Sequence, residues 1–197
     1  VNRSIAILAA PAVAVLAISL SGCVGSAVRT GIDMNDRSSN LSLAEAGDAK
    51  AQYQVGKSWC CALGGWDIPV ADQVYDTETA SEFLCRAALQ NFGPAQLELA
   101  RLYSGRVTHS LMPILVRAVA PPPTDMAAAL MWADLASTNK VDGAEDLRRS
   151  LAGEASPEAR AEAARRSTEW QSAPCTWRDT IGGQTASDRT AMKTPAS

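Results

Sequence analysis

The side chains of this 197-residue chain best suited to chemistry are five cysteines, Cys23, Cys60, Cys61, Cys85 and Cys175, and one histidine, His109. Thiolate and imidazole are common zinc ligands, and Cys60, Cys61 and Cys175 with His109 have the right atom types. No two cysteines stand at the C-x-x-C spacing that zinc and thioredoxin-like sites favour, so no metal ligand is expected. Nucleophilic catalysis would need the histidine beside a serine or cysteine and an orienting acid. Nothing selects those partners for His109, which sits between Thr108 and Ser110 and reads as a surface residue. Gly64-Gly65 and Gly182-Gly183 read as turn and tail features, not as a phosphate loop. No catalytic residue and no cofactor are therefore expected. One alternative stays open. The carboxylates Asp67, Asp72, Asp76 and Glu78 would suit a binder or enzyme directed at the cell wall, peptidoglycan or carbohydrate, if they converged on a polar cleft.

The elements that position these residues are helices. Ala80, Phe83, Leu84, Ala87 and Ala88 recur at three- and four-residue steps, which stacks them on one helix face. Asn91-Phe92-Gly93-Pro94 breaks the pattern; Gly93 suits a left-handed cap and Pro94 the start of the next helix. Ala95, Leu99, Leu102 and Tyr103 carry a second stripe, which Gly105 ends. A hairpin of this kind cannot bury both faces alone, and copies are present. A shift of about 44 residues places Ala44, Ala51, Gln52, Val55 and Trp59 on Ala88, Ala95, Gln96, Leu99 and Tyr103. A shift of about 49 places Ala129, Trp132, Ala136 and Ala144 on Ala80, Phe83, Ala87 and Ala95. The third copy drifts in its second helix, where Arg148 falls opposite Leu99. Trp132 is expected in the core.

The stretches AALQNFGPAQLELARLYSG and AEAGDAKAQYQVGKSW resemble Sel-one-like repeats, a branch of the tetratricopeptide superfamily. DMAAALMWADLAS and DGAEDLRRSLAGEASPEARAEAARRSTEW resemble the closing helices of bacterial members. The resemblance covers Leu41 to Trp170. It implies an all-α fold, a short α-solenoid of two to three helical hairpins with a C-terminal capping helix. It also implies binding of other proteins, not catalysis. Related families contain disulfide-stapled hairpins. Cys60, Cys61, Cys85 and Cys175 are an even set with three possible pairings. Adjacent cysteines are expected not to bridge themselves, so Cys85 is expected to bond Cys60 or Cys61, with Cys175 taking the other.

Residues 1–22 read as a targeting signal: Arg3 gives a basic start, and Ile5 to Leu20 is an apolar run. Leu20-Ser21-Gly22-Cys23 resembles a bacterial lipobox, which implies that Cys23 is the lipid attachment site and that the chain is anchored in a membrane, facing the periplasm. Val24, where an aspartate would signal inner-membrane retention, favours the outer membrane. Residues 23–40, polar and without an apolar period, read as a flexible tether. The folded part, 41–170, begins with Asn40 or Ser42 as helix cap. Thr124 is expected to cap a later helix, and Ser156-Pro157-Glu158 reads as a strong helix start. Residues 171–197 read as a largely disordered tail.

The net charge is −3 at pH 7. The basic doublets Arg148-Arg149 and Arg165-Arg166 read as solvated helix faces, so no nucleic-acid partner is expected. Two insertions lengthen the repeats, Cys60 to Asp76 and Arg106 to Pro123, and both leave the array at equivalent points. Their residues Trp66, Ile68, Tyr75, Leu111, Met112, Ile114, Leu115 and Val116 are the candidate protein-binding residues; the second insertion, too apolar for a free loop, either folds back onto the array or is offered to a partner. The expected function is a membrane-tethered scaffold or adaptor for proteins of a bacterial envelope complex.

Overall fold

The computed structural model describes residues 31–61, 75–107 and 123–182, and among these every regular element is helical. Residues 31–45 form α1. They are followed by α2 (Ala49–Trp59), α3 (Thr77–Leu89), α4 (Gly93–Tyr103), α5 (Met126–Thr138), α6 (Ala144–Glu154) and α7 (Pro157–Thr168), with a π-helical turn at Arg178–Gly182.

The starts of these helices follow from local chemistry. The side chains of Asp48, Asp76, Asp125 and Ser156 accept hydrogen bonds from backbone N–H groups in the first turns of α2, α3, α5 and α7. Each satisfies a donor that the helix itself leaves unpaired. Asp125 caps α5 in place of Thr124, because its carboxylate reaches the Ala128 N–H at 2.9 Å. Asn40 and Ser42 are not caps. They lie inside α1, where the Asn40 amide donates to the Asp36 carbonyl at 2.7 Å.

Three hairpin turns use the same device, a left-handed residue just after the first helix: Gly47 (φ 100°), Asn91 (φ 62°) and Lys140 (φ 56°). The left-handed position of the central hairpin is thus Asn91 and not Gly93. Gly93 instead opens α4, and a Cβ there would stand 2.5 Å from Val141 Cγ2 and 3.0 Å from Asn139 Cβ. Its missing side chain lets α4 approach the following hairpin. Gly56 does the same between α2 and α3, where a Cβ would meet the backbone of Leu84 at 2.9 Å and of Ala80 at 3.0 Å.

Packing proceeds along the chain: α2 on α3, α3 on α4, α4 on α5, and both α6 and α7 on α5. The main core lies between α3, α4 and α5, around the fully buried Leu84, Leu99, Leu102, Tyr103, Met131 and Trp132. Each such side chain contributes about 1.5–3 kcal/mol relative to exposure. Alanines 80, 87, 88, 95, 100, 128, 129 and 133 fill the helix contacts with almost no side-chain entropy lost.

The helical hairpins meet through matching polar contacts. The buried Gln52 and Gln96 donate to the carbonyls of Ala44 and Ala88, at 3.0 and 3.3 Å. Each also accepts a 2.8 Å bond from the residue that ends the next hairpin's first helix: Gln90 bonds Gln52, and Asn139 bonds Gln96. The Asp76 N–H donates to the Trp59 carbonyl and the Asp125 N–H to the Tyr103 carbonyl, both at 3.0 Å. In the third hairpin Glu145 replaces the glutamine and accepts from Ser137 Oγ at 2.8 Å. Among the described residues no further hairpin follows α6, and only Ala144 and Leu151 of that helix are buried. Arg148 therefore stands where Leu99 does and pairs with Glu145 and Asp134.

Two expected boundaries move. The tether assigned to 23–40 is helical from residue 31, with Asp33 buried and the Arg37 guanidinium 3.3 Å from the centroid of the Trp59 ring. Residues 171–182 of the expected tail are packed, with Cys175, Thr180 and Ile181 buried.

Candidate binding face

Of the candidate protein-binding residues, Trp66, Ile68, Leu111, Met112, Ile114, Leu115 and Val116 lie outside the described residues, as do Cys23, His109, Asp67 and Asp72. Tyr75 is described and is half-buried; its hydroxyl donates to Asp33 at 3.2 Å, which ties the end of the first insertion to α1. That bond gives Tyr75 a role in the fold. Asp76 is engaged as the α3 cap and accepts the Thr79 hydroxyl at 2.6 Å. Burial pushes the Glu78 carboxyl up, and Arg178, 3.8 Å away, works against that rise. These two carboxylates have separate local partners.

The cysteine pairing differs from expectation. Cys60 bonds Cys61 across a cis peptide, and Cys85 bonds Cys175 with 5.6 Å between their Cα atoms. The α2–α3 contact is made by Gly56 against Leu84 and Ala80. Cys85 is one residue further round α3, roughly 100° from Leu84, and faces the C-terminal segment instead. Cys60 and Cys61 turn into the same buried space at the end of α2, so they pair with each other.

That C-terminal segment forms a strap over α3 and α4, which no local pattern in the sequence announced. The fully buried Ser81 donates to the Glu78 carbonyl at 2.8 Å and accepts the Trp177 N–H at 2.7 Å. The Tyr103 hydroxyl donates to the Cys175 carbonyl. Burial pushes that hydroxyl well above the ordinary tyrosine range, so it remains a protonated donor at any physiological pH. The Trp177 ring stacks on Tyr103, with centroids 6.1 Å apart and planes 10° off parallel. Further back, Trp170 meets the buried Trp132 edge-on at 6.3 Å. The face of α3 that carries Ser81 and Cys85 is thus covered by the chain itself.

Exposed large apolar side chains among the described residues lie on α1: Ile32, Met34, Leu41 and Leu43. They were missed as candidates because this stretch read mainly as tether. Steps of 100° per residue put Ile32 and Leu43 on one flank of the helix and Met34 and Leu41 on the opposite one. A shallow depression beside the α5–α6 turn is lined by Lys140, Asp142, Glu145 and Asp146 among others. Glu145 and Asp146 already pair with Arg148 and Arg149.

Among the described residues no group of histidine, cysteine and acidic side chains is placed to hold a metal, and no helix is long and apolar enough to cross a membrane. No protein-family model matches the chain, and no curated protein or solved structure is significantly similar to it.

Proposed function

We propose that this protein is a protein–protein interaction scaffold of a bacterial envelope complex, tethered by lipid at Cys23 and facing the periplasm from the outer membrane. Its body is a short Sel-one-like solenoid in which α1–α2, α3–α4 and α5–α6 are successive hairpins and α7 is the closing helix. The supporting observation is the repetition at the junctions. The first and second hairpins each offer a buried glutamine to the residue that ends the next hairpin's first helix. Both insertions are closed at their base by the same bond, from the aspartate cap of the next helix to the last carbonyl of the previous one. The two insertions leave the array at equivalent points, and loops on one edge of a repeat array commonly form its binding surface.

The partner is an envelope protein that docks on this edge through Trp66, Ile68, Leu111, Met112, Ile114, Leu115 and Val116. The role is binding, with no bond made or broken. Alanine at Trp66, Ile68, Leu111 and Met112 together should weaken capture of the partner at least tenfold, with helical content unchanged by circular dichroism. If the same variant unfolds, these side chains are core and the docking edge is elsewhere.

A further inference from the structure

The strap over α3 and α4 is held in the way a peptide ligand is held. Two buried side chains of the array, Tyr103 and Ser81, bond main-chain atoms two residues apart, the Cys175 carbonyl and the Trp177 N–H. Main-chain bonds of this kind hold a segment whatever its sequence, and side-chain contacts then add selectivity. Here the selective contact is the Trp177 ring, stacked flat on Tyr103. The groove is therefore built for a short peptide that presents an aromatic ring beside Tyr103.

We propose that this face is a peptide-binding groove filled in cis by residues 175–177, and that the Cys85–Cys175 disulfide keeps it filled. A segment joined to its own groove competes at an effective concentration on the order of millimolar, and a covalent bond makes the occupancy permanent. Without the disulfide only the stacked ring and the main-chain bonds hold the strap, and an aromatic peptide in trans can displace it. An external dithiol supplies the opening step. Its thiolate attacks one sulfur of the Cys85–Cys175 bond, and its second thiol resolves the mixed disulfide. The dithiol is oxidised to a disulfide, and Cys85 and Cys175 become thiols that take up its two protons.

The probe is a fluorescein-labelled peptide of residues 173–182 carrying Cys175→Ser, which prevents mixed disulfides. It is titrated into the oxidised chain, the dithiothreitol-reduced chain and a Cys175→Ser/Trp177→Ala double variant. Binding is read by anisotropy and by the shift in melting temperature. The expected result is binding to the reduced chain and to the double variant at least tenfold tighter than to the oxidised chain. A probe that also carries Trp177→Ala should bind at least tenfold more weakly. A double variant that loses helical signal alone and regains it with the probe gives the same support, because the strap then works as a ligand supplied in trans. No gain in binding on reduction, or a double variant whose anisotropy, melting temperature and helical signal ignore the probe, overturns the proposal.

Discussion

At the scale of residues, Gln96 carries the most structural information for its size. It is fully buried, and its amide bonds Ala88, Asn91 and Asn139. Gln96→Ala removes buried packing and the hydrogen bonds to Ala88, Asn91 and Asn139 together. It should cost about 2–4 kcal/mol in urea unfolding. Glu145, the matching residue of the last hairpin, is exposed, and Glu145→Ala should leave the unfolding midpoint nearly unchanged. Equal losses at both positions would contradict the match between junction and stability. Gly93 tests a steric claim. Alanine near a helix start gains at most about 1 kcal/mol of propensity, whereas overpacking costs about 1–3 kcal/mol, so Gly93→Ala should destabilise. Val141→Ala should restore much of that loss, since Val141 Cγ2 is the nearest obstruction. Glu162 gives a pH dependence. Hydrogen bonds from Arg165 and then Arg166 hold its carboxyl down at about 2. A lowered folded-state value stabilises only the ionised form. The contribution is complete above the unfolded value of about 4.3 and is lost as pH falls through the folded one. A carbon-detected titration of Glu162 should show the depressed value, and Arg165→Ala should raise it.

At the scale of elements, the Cys85–Cys175 bond joins α3 to a strap 90 residues away in sequence. Chain-entropy arguments for a loop of this length give about 4.6 kcal/mol. Cys175→Ala in the full chain should therefore lose stability of that order in urea, with Trp177 fluorescence moving towards that of an exposed indole. An unchanged midpoint would mean that the strap is held without its covalent bond. The strap was illegible in the sequence because its contacts are few and distant. Tryptophan on tyrosine and one N–H on one serine leave no period to read. The first helix escaped for a different reason. Ala44 is its one buried apolar residue, and it docks otherwise through Asp33, which accepts from Tyr75, and Arg37, which meets Trp59 and the Ser58 carbonyl. A stretch that packs by polar contacts and by a guanidinium on an indole ring looks like a tether to any hydrophobic count. By contrast, the α3–α4 hairpin was plain, because its alanine and leucine stripes, the turn at Asn91 and Pro94 are all local signals.

At the scale of the whole molecule, the copies that we propose at spacings of about 44 and about 49 residues have a physical rationale in the junctions. What has to recur is whatever one hairpin presents to the next: small residues where backbones approach, a glutamine that reaches across, an aspartate that both caps its helix and closes an insertion. The third copy drifts because, among the described residues, no hairpin covers the outer side of α6, so Leu99 has no counterpart there and Arg148 is tolerated. The candidate site was legible only as a place, the edge where both insertions leave the array. The occupied face of α3 was not. The account rests on that edge being where an envelope partner docks. Crosslinking in native membranes tests it most directly, with the wild-type chain purified beside a form lacking residues 112–116. The account predicts one envelope protein enriched with the wild type and lost with the deletion; equal recovery from both chains, or no specific partner from either, would contradict it.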